Sequence, residues 1–218
     1  MKKKMIMSLL LGLLCSVSIV LASSSYLYDV KSGKITYEIK GSGKAMGSTI
    51  QTNGKKRLIF DDYGAKNLTE KIKIQKQTIM GRTNIIKTHE LVYLTKKAAY
   101  LVDFDAKEIQ YREDMGMASY LGDGQNLEKF SENIIKKMGG KKVGTDEVAG
   151  HRCDIWEIKG VKQCLYKGVP LKIETSMMGI TLTEIATKAE FDISLSEENF
   201  KLPDFPLYDM EGNPIEKK

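Results

Sequence analysis

Tryptophan occurs once in these 218 residues, histidine twice, cysteine three times and proline four times. His89 and His151 stand in no HExxH pattern, and the chain holds no GxSxG and no CxxC. Zinc-protease, serine-hydrolase and thioredoxin-like chemistry therefore lack their usual footing. Gly41-Ser-Gly-Lys44 has the residue types of a phosphate loop but neither its spacing nor a following helix, so it reads as a β-turn. Asp61-Asp62 and Asp103/Asp105 are lone acidic pairs in turns and read as solvated. The expectation is a protein that is not an enzyme, with no catalytic residue, metal ligand or cofactor. A basic stripe is missing as well. The formal charge is +6, and three of those charges are Lys2, Lys3 and Lys4. The remaining 31 Lys and Arg against 28 Asp and Glu alternate in sign, which argues against nucleic acid. Weak peripheral contact with anionic lipid head groups stays open.

What is present begins with a leader. Met1-Lys2-Lys3-Lys4 is followed by an apolar run from Met5 to Ala22, with Val20 and Ala22 at the −3 and −1 positions of a peptidase site. Residues 1–22 are expected to be a cleaved signal peptide and the mature domain to start at Ser23, outside the cytoplasm. Cys15 is a poor acylation site, because Leu14, not a small residue, precedes it. Cys153 and Cys164 remain. They flank two alternating stretches joined around Lys159-Gly160-Val161, and a hairpin centred between Ile158 and Lys159 sets them opposite each other. In an oxidising compartment that pair reads as a disulfide stabilising the fold by about 2–3 kcal/mol.

From Tyr26 to Arg112 the apolar period is two. Ile35, Tyr37 and Ile39 alternate with polar residues, as do Leu58 and Phe60, then Ile72 and Ile74, with Gly and Asx turn signals between the runs. Such short, evenly spaced strands predict an antiparallel meander with one wet face. The exception is Asn126 to Gly140, where Leu127, Phe130, Ile134 and Met138 form one helical stripe ending at Gly139-Gly140. Strands then resume through the cysteine hairpin, Leu171–Thr175 and Ile180–Ile193. Ser196–Phe200 reads as a helical turn, and residues 209–218 as a flexible tail.

The stretch Gly144-Thr-Asp-Glu-Val-Ala-Gly-His-Arg-Cys-Asp-Ile-Trp-Glu-Ile158, with Lys167-Gly-Val-Pro-Leu-Lys-Ile-Glu174 and the closing Phe191-Asp-Ile-Ser to Phe200-Lys-Leu-Pro203, resembles the LolA-like and LolB-like periplasmic lipoprotein-carrier superfamily. The resemblance covers about 60 residues, and it is to uncharacterised secreted bacterial members more than to the carrier itself. The carrier opens with an amphipathic helix, where Tyr26 to Ile39 here reads as strand. The resemblance implies a mainly β (α+β) fold: a strongly curved antiparallel sheet over residues 23–208 forming an open half-barrel, with one main helix covering its concave face. It further implies binding of an apolar or amphipathic ligand, a lipid or lipidated protein, between sheet and helix; with the leader, the expectation is a periplasmic monomer. Leu127, Phe130, Ile134 and Met138 would line that groove, with Met115, Met117, Met177 and Met178 at its rim. The other expectation is an envelope structural or protein-interaction module with a closed core.

Overall fold

The structure, a computed structural model, describes residues 27–45, 47–113, 135–136 and 138–216. The leader at 1–22 lies outside them. The strands are β1 (Gly33–Ala45), β2 (Ser48–Asp61), β3 (Lys66–Ile79), β4 (Arg82–Leu94), β5 (Ala99–Asp103), β6 (Glu108–Arg112), β7 (Lys141–Val148), β8 (His151–Ile158), β9 (Val161–Tyr166), β10 (Val169–Met177), β11 (Ile180–Phe191), β12 (Leu207–Tyr208) and β13 (Pro214–Ile215). They form one open, curved sheet in the order β13-β12-β6-β5-β4-β3-β2-β1-β11-β10-β9-β8-β7. Every pairing is antiparallel except β12 with β6. The sheet is thus two meanders, β1–β6 and β7–β11, joined along the β1–β11 seam.

Hairpin chemistry explains the regularity. Met80-Gly81, Ala149-Gly150, Lys159-Gly160, Lys167-Gly168 and Met178-Gly179 each place both residues at positive φ. That is the two-residue turn whose twist matches the flanking strands. Other glycines act inside strands. Asn53-Gly54, which the sequence suggests as a turn, lies within β2 with Gly54 opposite Ile39 and Lys73. The Gly41–Lys44 segment lies within β1. A Cβ at Gly43 would run into the Gly179 carbonyl oxygen and the Ile180 Cα, so only glycine lets β11 approach β1 this closely.

Two apolar clusters anchor the sheet. Ile35, Tyr37, Leu58 and Phe60 share one face of β1 and β2, and β7–β10 curl back so that Val148, Cys153, Cys164, Val169 and Leu171 pack with them. Bulges between Thr36 and Tyr37 and between Pro170 and Lys172 accompany that curl. This is the inner face of the curved sheet. On the outer face Ile59, Leu68, Leu91, Val102 and Ile109 are covered by the C-terminal segment through Phe200, Leu202, Phe205 and Leu207. The 3-10 turn Glu197–Phe200 delivers Phe200 to this cluster. Asp209 accepts the Glu211 and Asn213 N–H groups, and Pro214–Ile215 pair with β12.

The expected covering helix requires correction. Among the described residues there is no helix on the sheet. Of the predicted span, 126–134 lies outside them, and only Ile135 and Lys136 are helical. The chain stops there because Gly139, at φ +83, lets its N–H and that of Gly140 donate to Lys136 O and Ile135 O at 2.9 and 2.7 Å.

The cysteine pairing stands, with a different register. Cys153 and Cys164 are bonded, with Cα atoms 5.3 Å apart. The Lys159-Gly160 turn sets Ile158 opposite Val161, so Cys164 faces Ile155 and the bridge runs diagonally.

Candidate functional site

The groove residues inferred from the sequence do not assemble among the described residues. Leu127, Phe130, Ile134, Met115 and Met117 lie outside them. Met138 is half-buried in the turn before β7, an edge strand. Met177, at the end of β10, and Met178, in the β10–β11 turn, are both exposed. What the inner face does bring together is charge.

Strand alternation places Tyr37 of β1, Lys56 of β2, Lys71 of β3 and Glu184 of β11 on the same inner face. Lys56 Nζ and Lys71 Nζ each lie 2.6 Å from a different oxygen of Glu184. Glu184 retains only 4 % of its exposure. Burial drags the Lys56 ammonium below its ordinary pKa and outweighs the opposing pull of the Glu184 carboxylate. Burial also pushes the Glu184 carboxyl upward, yet the two ammonium groups outweigh it and hold the acid below the usual carboxylate range. The trio carries one cation more than it has anions. Lys56 also sits 4.3 Å from the centre of the Tyr37 ring.

Tyr37 fixes this corner to the rest of the fold. Its hydroxyl donates to Pro170 O at 2.9 Å, beside the β10 bulge. Burial, with Tyr28 and Glu184 adding to it, pushes its phenol well above the ordinary value. Tyr37→Phe is expected to cost about 1 kcal/mol, since it removes the hydrogen bond to a half-buried carbonyl. Urea unfolding of the two proteins measures this, and an unchanged midpoint would contradict it.

Beyond Lys71 the inner face of the β3–β4 arm carries, on β3, the half-buried Lys73, Gln75 and Gln77 before it reaches Ile79. Ile79 and Ile86 lie on it at 45 % and 42 % exposure. Eight residues of strand separate Lys71 from Ile79, about 26 Å at the usual rise. The site is therefore linear: a buried, cation-rich trio at one end and two exposed isoleucines, set among polar residues, towards the other.

The histidines serve packing. His89 Nε2 is 2.9 Å from Glu70, which also binds Arg57 Nη2 at 2.9 Å, and the His89 ring stacks on Phe104 at 3.5 Å. Phe104 in turn meets Phe205 edge-on, which fastens the C-terminal segment. His151 lies between Tyr166 and Phe191. Asp61 and Asp103 accept backbone N–H groups of their own turns.

The fold and this face define an open β-sheet protein of half-barrel shape with a charged inner surface. No family model and no curated protein matches the chain. Among solved structures, it is similar to an uncharacterised conserved protein from Thermus thermophilus, at 7 % identity and a TM-score of 0.42, over 80 % of this chain and 90 % of that one. A β-barrel-like protein of the DUF1849 domain from Brucella abortus gives 10 % identity and 0.45, over 76 % and 100 %. A protein described as an outer membrane lipoprotein-sorting domain from Vibrio parahaemolyticus gives 12 % and 0.25, over 81 % and 91 %. The likeness is one of coarse β-barrel-like architecture.

Proposed function

We propose that the chain is a non-catalytic binder of an apolar or amphipathic ligand, a lipid or a lipidated chain, held on the inner face of its sheet outside the cytoplasm. The observation that carries this is the unequal trio Lys56–Glu184–Lys71 on the face that also carries the exposed Ile79 and Ile86. An anionic head group evens the charge at the trio, and an acyl chain of the arm's length lies along Ile86 and Ile79. Burial of each methylene contributes about 0.8 kcal/mol. The Cys153–Cys164 bond fits an oxidising compartment.

The test is native mass spectrometry with lipid extraction on the mature protein from its exported fraction. The expected result is a reproducible co-purified anionic amphiphile in the wild type. It should be absent from Lys56→Met, which leaves Glu184 and Lys71 as a neutral pair. A clean apo mass together with no uptake of a fluorescent fatty acid would overturn the reading and favour a closed-core interaction module.

A further inference from the structure

The pairing registers bring three hairpin tips to one end of the sheet. Ala45 of the β1–β2 hairpin faces Ser48, Ser48 faces Ile79 beside the Met80-Gly81 turn, and Gly43 faces Ile180 beside the Met178-Gly179 turn. Six neighbouring strands, β4 to β10 in sheet order, end here in a row about 24 Å wide at normal strand spacing.

This end has a composition unlike the rest of the chain. Residues 39–54, 72–89 and 175–183 contain Lys40, Lys44, Lys73, Lys76, Arg82 and Lys87, and not one Asp or Glu. Lys40 and Lys73 reach back to Glu38 and Glu90. Lys44, Lys76, Arg82 and Lys87 are exposed, and no carboxylate pairs with them among the described residues. The turns themselves are apolar. Met80 is 97 % exposed and Met178 is 74 % exposed. Ile72, Ile74 and Ile85 add exposed apolar surface on the outer face of the same arm. A soluble surface normally scatters such side chains singly and mixes its charges.

We propose that this end docks on a bilayer surface bearing anionic lipids. Met80 and Met178 enter the interface, and Lys44, Lys76, Arg82 and Lys87 sit among the phosphates. Neither signal suffices alone. Shallow apolar insertion is weak and reversible, and stable attachment at a membrane takes an apolar anchor together with a basic patch. Each cation at an anionic surface strengthens binding by a factor of about five. Charge complementarity favours this partner, since exposed cations without a carboxylate beside exposed methionines match anionic head groups over an apolar interior. Docking here sets the arm carrying Ile79 and Ile86 against the lipid, but it does not depend on the trio holding a ligand.

Vesicle flotation of the mature protein tests this. Vesicles of phosphatidylglycerol with phosphatidylethanolamine should carry the protein, phosphatidylcholine alone should not, and binding should fall steeply with salt. Met80→Asp with Met178→Asp should weaken flotation more than tenfold, as should Arg82→Glu with Lys87→Glu. These positions are exposed, so folding should persist, and the methionine variant should still take up the fluorescent fatty acid on its inner face. Three results would overturn the proposal: no flotation with anionic vesicles, equal flotation with neutral ones, or wild-type flotation of both variants. An acidic protein that shields Met80 and Met178 where vesicles do not would overturn it too.

Discussion

Glu184→Gln is expected to lower the unfolding free energy by about 3–5 kcal/mol, because it leaves two buried ammonium groups facing each other with no counter-charge. For a domain of this size that corresponds to a melting temperature lower on the order of 10 °C. The cause is specific. Lys56 and Lys71 hold opposite oxygens of one carboxylate, and both ammonium groups are largely shut off from water. The acid side of the stability curve carries the same signature. The folded pKa of Glu184 lies below its ordinary value near 4.5. Its contribution is therefore fully present above that value and is lost as pH falls through the lower, folded one. Glu184→Gln should lack this part of the acid limb. Replacing all three, Lys56→Met with Lys71→Met and Glu184→Leu, should recover most of the lost stability, since a well-packed apolar set often matches a buried ion triad. Urea unfolding across pH measures all of this. A loss under about 1 kcal/mol in Glu184→Gln would mean that water reaches the trio and that it is not desolvated.

Removing the Cys153–Cys164 bond is the next largest expected effect, about 3 kcal/mol for so short a loop. Both sulfurs sit inside the inner cluster, with the two residues 1 % and 3 % exposed. The double alanine variant should lose packing in addition to the cross-link. The bridged cysteines pack with Val169 and Leu171 in the same cluster. Loosening it should therefore disturb the curl of β7–β10 over β1 and β2 before it disturbs β3–β6. Hydrogen exchange resolves that order. Equal loss of protection in β4 and β8 would contradict it, and a double variant with an unchanged urea midpoint would contradict the magnitude.

The strand rhythm was legible because a sheet with one dry face writes its pattern at period two, and Ile35, Tyr37 and Ile39 follow it. Two kinds of residue defeated the pattern. Glycines inside β1 and β2 look like turns in a sequence, whereas here they let neighbouring backbones approach, so the strands run longer than their apolar runs suggest. On β3 the alternation has the opposite meaning from the expected one. Ile72 and Ile74 face outward and are exposed, while Lys71 faces inward and is buried. That inversion hid the trio, whose members lie 128 and 113 residues apart in the chain. One signal was available. Lys56 has the same parity as Leu58 and Phe60, and Glu184 interrupts Leu182 and Ala186, so each is a charge set on an apolar face. The hairpin register was missed by one residue on each strand, because either placement of a two-residue turn around Gly160 preserves the alternation.

The β1–β11 seam bears on how this chain reaches its shape. Nearly every other ladder joins consecutive strands, so β1–β6 can zip up from local contacts as soon as they emerge. The seam instead pairs Gly33 with Phe191 and Gly43 with Ile180. It can close only after almost the whole chain is available, and it carries the large loop-closure entropy of a contact between distant segments. Until then the long outer edge of β1 presents unpaired N–H and C=O groups, the template on which strands of other molecules add. Contact order thus points to this ladder as the last of the long ones to close. The time between the arrival of β1 and of β11 becomes the interval in which the chain is most prone to aggregate.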